Sequence, residues 1–228
     1  MYSRISYSFD VLKPFLLRQL TFVSLVFWTA VLVFVALADE IHGKKTLPFD
    51  VPLLHAVHDL SSPRLNDIAV FVTNLGGAPF IIVATLAIAG GLLYLKKKRQ
   101  AYIVLSTAGG AAVMNYVLKL FFARDRPSLW QSIITQSSYS FPSGHAMASS
   151  ALAFSLIAIA WHTKWRVLAM ILGAYYILII GFTRIYLGVH FPSDVLAGWC
   201  ISLIWTVIVY NVFRERSVRF WRSRLGLR

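Results

Sequence analysis

Residues 20–38 are LTFVSLVFWTAVLVFVALA, a stretch of 19 residues without a charged side chain. A helix needs about 20 apolar residues to cross the hydrocarbon core of a bilayer. Five similar runs follow, at residues 79–95, 100–118, 144–161, 167–183 and 195–213. Only helices or a closed barrel satisfy the backbone in lipid, and uninterrupted apolar runs exclude the alternating pattern of a barrel. The sequence therefore predicts an all-α polytopic membrane bundle of six transmembrane helices.

The composition supports this prediction. Hydrophobic residues make up 58% of the 228 residues and charged residues only 14%, which is too apolar for an ordinary soluble domain. The single cysteine, Cys200, excludes a disulfide framework, and no glycine-rich nucleotide loop is present. Residues 68–77 contain an asparagine and two glycines, and we interpret them as an interfacial or re-entrant lead-in to the second helix.

The positive charges lie mostly on one side of the predicted bundle. Fifteen of the 22 lysines and arginines lie on the side that holds both termini, against two acidic residues; the other side has seven of each. Cytoplasmic loops carry the excess of Lys and Arg, so both termini are predicted to be cytoplasmic. The net charge of +13 then lies inside, where anionic lipid rather than nucleic acid is the expected partner.

No internal repeat or low-complexity tract interrupts the chain. Residues 1–228 are therefore predicted to form a single integral membrane domain with a basic cytoplasmic tail, residues 214–228. The alternative for the first run is a cleaved signal peptide, because Ala36-Leu37-Ala38 before Asp39 resembles a signal peptidase site. We favour an uncleaved helix, since 19 apolar residues exceed the usual signal-peptide core.

Three polar groups, residues 119–127, 141–145 and 183–194, lie at the ends of predicted helices, and the topology brings all three to the outer face. Lys119, Arg126 and Arg184 are cations near a low-dielectric boundary, where charged side chains are costly and usually functional. Crowded together they repel one another, whereas a phosphate between them neutralises the site and accepts forked hydrogen bonds. Ser143 and Gly144 open the fourth helix, where free amide groups favour an anion and the serine can act as a cap.

Two histidines accompany these cations. His145 lies in the first turn of the fourth helix, where it can give a proton to a departing oxygen. Pro192 predicts that the sixth helix begins at residue 192 or 193, so His190 lies in the preceding loop. Asp194, four residues on, can hold one imidazole nitrogen and present the other as a nucleophile. Together these residue types point to phosphate chemistry.

In this order and spacing, the motifs Lys119-x6-Arg126-Pro127, Pro142-Ser143-Gly144-His145 and Thr183-Arg184-x5-His190-x3-Asp194 resemble the three-part signature of the type 2 phosphatidic acid phosphatase superfamily. The family commonly has serine at the position of Thr183, and threonine keeps the hydroxyl. The resemblance implies a membrane enzyme that cleaves lipid phosphates.

The resemblance also implies a role for each motif residue. His190 attacks phosphorus to form a phosphohistidine, Asp194 orients it, and His145 protonates the leaving oxygen and then activates water. Five residues bind the phosphate oxygens, namely Lys119, Arg126, Ser143, Gly144 and Arg184. No metal and no other cofactor is implied. We interpret the neighbouring Arg124 and Asp125 as solvated surface charge rather than contacts to a second phosphate.

We therefore expect metal-independent hydrolysis of the phosphate or pyrophosphate ester of a membrane lipid at the extracytoplasmic face of a bacterial inner membrane. The candidate substrates are phosphatidylglycerophosphate, phosphatidic acid and undecaprenyl pyrophosphate. The expected partners are the lipid substrate and the bilayer, with no nucleic acid and no obligatory protein partner. The alternatives are a lipid transporter or scramblase, and a phosphatase of a soluble phosphate ester.

Overall fold

The computed structural model describes residues 3–43, 46–130, 132–134 and 136–224, with side chains for all of these except 3–20, 22 and 215–224. All regular secondary structure in these ranges is helical, which confirms the all-α prediction. The helices are α1 (Ser3–His42), α2 (Asp50–His58), α3 (Pro63–Asn74), α4 (Ala78–Tyr94), α5 (Lys98–Phe122), α6 (Gly144–Ala160), α7 (Arg166–Tyr186) and α8 (Pro192–Arg224).

Four described helices are long and apolar enough to cross a membrane, namely Val23–His42 of α1, the whole of α5 and α7, and Pro192–Arg214 of α8. The pair α3 and α4 meets the same criterion together, with a bend of 43° at the break between them. The apolar α6 has only 17 residues, about 26 Å at the helical rise per residue. The described residues thus contain four spans, or five with the bent pair. The predicted count of six, like the cytoplasmic position of both termini, stays a prediction.

The helices agree in position with the predicted apolar runs, but several are longer. The second to sixth runs each begin within three residues of the start of an observed helix. The first run, 20–38, lies inside the 40-residue α1. The segment 68–77 is mostly helical and belongs to α3 and its break from α4. The predicted tail continues α8 to Arg224, whereas residues 225–228 and the side chains of 215–224 lie outside the described part.

The centre of the bundle is α6, which packs against α5, α7 and α8. Its sequence is rich in Gly, Ala and Ser, which allow neighbouring helices to approach closely. The buried hydroxyls of Ser150 and Ser155 donate to the carbonyl oxygens of Ala146 (2.6 Å) and Leu152 (2.7 Å). The helix therefore packs on several sides without leaving these hydroxyls unpaired.

A close contact between α5 and α8 depends on Gly110. A Cβ atom built on Gly110 would lie 2.3 Å from Nε1 of Trp205, whereas the space next to Gly109 is open. The same indole nitrogen donates to the carbonyl oxygen of Ser106 at 3.1 Å. Gly110 thus allows the indole to lie directly against the backbone of α5.

Short elements cover the end of the bundle where α7 ends and α8 begins. An apolar cluster of Val57 in α2, Ala69 in α3 and Leu187 after α7 joins three elements there. The hydroxyl of Tyr186 donates to Oδ1 of Asn66 at 2.8 Å and accepts the backbone N–H of Ser62 at 3.3 Å. This cover encloses the loop that contains His190.

Candidate functional site

The three predicted polar groups meet at this end of the bundle. Lys119 and Arg184 lie in the last turns of α5 and α7, and Asp194 lies in the first turn of α8. The backbone N–H of Ser143 donates to the carbonyl oxygen of Asp194 at 3.0 Å, which joins the starts of α6 and α8. The ends of α5 and α7 and the starts of α6 and α8, which carry the three sequence motifs, therefore form one site.

His190 lies at the centre of this site and is 2% exposed. Its Nε2 is 3.2 Å from Nη1 of Arg126, and its Nδ1 is 3.4 Å from Oδ2 of Asp194. Because a guanidinium only donates hydrogen bonds, Nε2 must be the acceptor, and the ring proton is on Nδ1, towards Asp194. The geometry therefore leaves the lone pair of Nε2 on the cationic side of the site.

The surroundings of His190 keep the ring neutral. Burial and the nearby positive charges of Arg184, Arg126 and Lys119 lower the pKa of His190 well below its usual value of 6.5. A neutral imidazole keeps an unprotonated Nε2, as a nucleophile requires, and in this structure its lone pair accepts the hydrogen bond from Arg126.

Ser140 is part of this arrangement, and the sequence analysis missed it. It is fully buried, and its Oγ donates to Oδ2 of Asp194 at 2.5 Å and lies 3.3 Å from Nδ1 of His190. The backbone N–H of Phe191 donates to the same Oδ2 at 2.9 Å. Only the position of Ser140 two residues before Pro142 distinguishes it from other serines in the sequence.

Arg126 and Lys119 donate to backbone carbonyl groups of the loop between α5 and α6, and Arg126 also donates to the loop between α7 and α8. Arg126 donates from Nη1 to the carbonyl oxygen of Val189 at 2.6 Å and from Nε to that of Ser138 at 2.8 Å. Lys119 donates from Nζ to the carbonyl oxygen of Tyr139. These contacts hold both cations close to His190.

Arg184 is fully buried, yet most of its guanidinium has no partner among the described residues. Nη1 donates to Oγ1 of Thr73 at 2.7 Å. Nε and Nη2 are buried and make no hydrogen bond to any described residue. A buried charge without hydrogen bonds is costly, so the donors of Arg184 fit an anion that completes the site. Thr73, at the end of α3, is a second contact that the sequence motifs did not reveal.

Ser143 precedes α6 as predicted, but its side chain does not cap the helix. Its hydroxyl oxygen is buried and makes no hydrogen bond to a described residue, and no side-chain cap is formed. The expected cap is therefore wrong, and the hydroxyl is free to contact a ligand. A Cβ built on Gly77 would lie 3.5 Å from Nε2 of His145, so the break between α3 and α4 borders that imidazole.

Arg124 is not the solvated surface charge that the sequence suggested. Its side chain is 10% exposed and forms ion pairs with Asp50 and Asp194. Asp125 is exposed, in agreement with the prediction. The interpretation fails for Arg124 because its partners lie 70 and 74 residues away in sequence.

The described residues contain no group of three or more His, Cys, Asp or Glu side chains that could hold a metal ion. The rings of His55 and His58 flank that of Trp130. The rings of His58 and Trp130 stack at 3.9 Å, and the ring centre of His55 is 5.4 Å from that of Trp130.

Comparisons with known proteins agree with the site and the fold. The sequence model of the PAP2 superfamily matches residues 100–217. Phosphatidylglycerophosphatase B of Bacillus subtilis is 30% identical over 83% of this chain and 95% of that protein. Undecaprenyl-diphosphatase of Sulfolobus acidocaldarius is 29% identical over 77% of this chain and 85% of that protein.

A solved structure is also similar. The crystal structure of the transmembrane PAP2-type phosphatidylglycerolphosphate phosphatase from Bacillus subtilis matches with a TM-score of 0.75 and 27% sequence identity. The match covers 83% of this chain and 96% of that one. The family match spans more than half of the chain and includes all three motifs, so the predicted resemblance is confirmed. This integral membrane protein therefore belongs to the PAP2 superfamily and is one of its lipid phosphatases.

Proposed function

We propose that the protein hydrolyses the phosphate or pyrophosphate ester of a membrane lipid without a metal ion, through a phosphohistidine intermediate. The observation that carries the proposal is the environment of His190. Its Nδ1 faces Asp194 at 3.4 Å and its Nε2 faces the cations, with Arg126 at 3.2 Å. A nucleophile held by a carboxylate and directed towards an anion site has the geometry of covalent catalysis.

In the first step, the lone pair of His190 Nε2 forms a bond to phosphorus, and the bond between phosphorus and the lipid oxygen breaks. His145 donates a proton to that oxygen, which leaves as an alcohol or, from a pyrophosphate, as the lipid monophosphate. The Nδ1 proton stays towards Asp194, whose negative charge stabilises the positively charged phosphoimidazole. Asp194 thus orients and stabilises the ring without accepting its proton.

In the second step, His145 accepts a proton from water as the water oxygen attacks phosphorus. The bond between phosphorus and Nε2 breaks, inorganic phosphate leaves, and both imidazoles return to their starting state. Each proton that His145 gives in the first step is therefore recovered in the second.

Five residues are proposed to bind the phosphoryl oxygens: Lys119, Arg126, Ser143, Gly144 and Arg184. The free donors support this role, because Nε and Nη2 of Arg184 and the hydroxyl of Ser143 are buried and without partners among the described residues. The amide groups at the start of α6 add donors that favour an anion. Such fixed donors stabilise the charge on the equatorial oxygens in the transition state.

The proposal includes the topology. Residues 1–228 form one domain with six spans, and the termini and basic tail 214–228 lie in the cytoplasm of a bacterium. The active site then faces the periplasm or exterior from the inner membrane. The distribution of charge in the sequence supports this orientation, since the predicted topology assigns fifteen of the 22 basic residues to the side opposite the site.

The substrate is a lipid phosphate whose headgroup lies at the membrane surface. The relatives are named for phosphatidylglycerophosphate and undecaprenyl diphosphate, and phosphatidic acid is the third candidate. Rates of phosphate release from these three lipids in one detergent would rank them. We propose that the enzyme binds no nucleic acid and acts without an obligatory protein partner.

The central test is phosphate release in detergent with a chelator present. His190→Ala should abolish release, and Asp194→Asn should lower turnover by about 10³- to 10⁴-fold, as loss of the orienting carboxylate does in serine proteases. His162→Ala, in the exposed turn after α6, is the matched control and should keep full activity. Full activity of His190→Ala, or complete loss on chelation, would refute the mechanism. Lipid movement without phosphate release would favour a transporter.

A further inference from the structure

Asp50, the first residue of α2, is fully buried although the proposed reaction has no use for it. A buried carboxylate is costly unless it is paired and hydrogen-bonded. No sequence motif includes Asp50, and it lies 143 residues before its main backbone partner. Its burial at the cover of the active site therefore needs an explanation.

Asp50 contacts the start of α8 through Ser193. Oδ1 of Asp50 accepts the backbone N–H of Ser193 at 2.9 Å, and Oδ2 accepts the Ser193 hydroxyl at 2.7 Å. Ser193 directly precedes Asp194. One side chain thus fixes the backbone at the first turn that presents the proposed orienting carboxylate.

Arg124 joins Asp50 to Asp194. Its Nη2 donates to Oδ2 of Asp50 at 2.9 Å, and its Nη1 donates to Oδ1 of Asp194 at 2.5 Å and to the hydroxyl of Ser193 at 2.8 Å. Its guanidinium also lies over the ring of Phe191, 4.2 Å from the centroid. Two carboxylates and a planar ring therefore determine its orientation.

With Arg124, both carboxylate oxygens of Asp194 have hydrogen-bond donors. Oδ2 of Asp194 is held by Ser140 and the Phe191 amide, and it faces His190 Nδ1. Oδ1 is held by Arg124 alone among the described side chains. With both oxygens held, the carboxylate cannot rotate about its bond to Cβ. The plane of the carboxylate then fixes the direction of the hydrogen bond to the imidazole.

We propose that Asp50 and Arg124 are positioning residues for the nucleophile: Asp50 holds Arg124, and Arg124 holds Asp194 in the orientation that directs His190 Nε2 at phosphorus. This inference rests on the proposed function of His190 and Asp194. We assign neither residue to the phosphate, because Asp50 is a carboxylate and both terminal nitrogens of Arg124 donate to carboxylates. Their loss should slow nucleophilic attack and leave phosphate binding unchanged.

The test uses the full-length protein in detergent with phosphatidic acid, under single-turnover conditions with enzyme in excess. Release of diacylglycerol reports the first step, and its rate constant at saturating enzyme depends only on correctly folded sites. Misfolded protein changes only the enzyme concentration needed for saturation. Competitive inhibition by inorganic phosphate reports the binding pocket separately.

Arg124→Gln should lower the saturated rate constant by about 10- to 100-fold, because small misplacements of a reacting group cost up to that factor. Asp50→Asn should lower it by a smaller factor, and the double variant should lose less than the product of the two single effects, since Asp50 acts in part through Arg124 and in part directly on Ser193. The inhibition constant for phosphate should stay at the wild-type value. Arg124→Lys, which keeps the charge but cannot bridge two carboxylates, should fall between Arg124→Gln and wild type.

Asp59→Asn and Arg64→Gln are the matched controls, because both side chains are exposed on the same cover. They should keep the wild-type rate constant. Wild-type rate constants in Asp50→Asn and Arg124→Gln, with only more enzyme needed for saturation, would show a role in folding alone and overturn this proposal. A raised inhibition constant for phosphate with an unchanged rate constant would also overturn it. Activity in His190→Ala would overturn the proposed function as well.

Discussion

Arg184 has the environment expected of a group that binds an anion in a forked geometry. It is fully buried, Nη1 is fixed by Thr73, and Nε and Nη2 are free of partners among the described residues. Arg184→Lys keeps the positive charge but removes the planar pair of donors. We expect kcat/KM for lipid phosphate to fall by about 10- to 100-fold, which corresponds to the loss of one charge-assisted hydrogen bond of about 1.5–3 kcal/mol.

The control for this prediction lies at the other end of the same helix. Arg166→Lys replaces an exposed arginine in the first turn of α7 and should leave kcat/KM unchanged. Kinetics of Arg184→Lys equal to wild type would argue against a forked contact and leave Arg184 as a point charge.

The buried, neutral His190 should make the stability of the protein depend on pH. Its pKa in the folded protein is lowered well below 6.5. Between that value and about pH 6.5 the unfolded chain binds one proton more at this group than the folded chain. The contribution of His190 to the free energy of unfolding is therefore fully present above pH 6.5 and is lost as the pH falls. We expect the free energy of unfolding to fall by up to about 1.4 kcal/mol per pH unit from this group.

The measurement compares unfolding in detergent for wild type and His190→Gln between pH 4 and pH 8. The glutamine variant should lose this part of the acid dependence, whereas His162→Gln, changed at an exposed turn, should keep it. Parallel curves for wild type and His190→Gln below pH 6 would contradict the lowered pKa.

The sequence revealed the residues of the motifs but not those that hold them. His190 and Asp194 are four residues apart, so a helix start at Pro192 was enough to predict their contact. The partners of Arg124 are 70 and 74 residues away, and a spacing of that length is determined by tertiary packing rather than local geometry. Thr73 was missed for the same reason, since its contact with Arg184 spans 111 residues.

At the level of helices, the contact between α5 and α8 depends on a single missing Cβ atom. A Cβ on Gly110 would lie 2.3 Å from the Trp205 indole, so Gly110→Ala must displace the indole or separate the helices. We expect a loss of about 1–3 kcal/mol, as for other overpacked cores, measured by thermal unfolding in detergent. Because α5 carries Lys119 in its last turn, activity should fall together with stability.

Gly109→Ala is the matched control, since it makes the same substitution one residue earlier into open space. It should be neutral or stabilise the helix by up to about 1 kcal/mol, because alanine restricts the unfolded chain. Equal destabilisation by both variants would mean that loss of helix flexibility, rather than the contact with Trp205, explains the effect.

Apolarity predicted where the helices lie but not how far they extend. Lys119 was predicted to follow the third helix, but α5 extends through Lys119 to Phe122. A lysine can lie within the helix because its long side chain reaches the polar loop from there. The helix α3 was only partly anticipated. Its mean apolarity is low, and the polar residues Asn66 and Asp67 interrupt the pattern that identifies a span.

For the molecule as a whole, the arrangement of helix ends matters more than their number. The motifs lie at the ends of α5 and α7 and the starts of α6 and α8, and antiparallel neighbours bring those four ends together. The backbone hydrogen bond from Ser143 to Asp194 joins the start of α6 to the start of α8, so His145 in the first turn of α6 lies at the same end of the bundle as His190. The side of the membrane that this end faces therefore decides which leaflet supplies the lipid phosphate.

The orientation can be tested with single cysteines, because the chain has only Cys200, which lies half-buried in α8. In a Cys200→Ser background, Ser137→Cys lies in the exposed loop beside the site, and Lys97→Cys lies in the exposed turn between α4 and α5 at the opposite end.

A membrane-impermeant maleimide added to intact bacterial cells, with the outer membrane made permeable, should label Ser137→Cys only. Lys97→Cys should react only after the inner membrane is opened, because its cluster of four basic residues is expected in the cytoplasm. The reverse pattern would place the phosphate site in the cytoplasm and refute the proposed topology, whereas it would leave the chemistry of His190 unaffected.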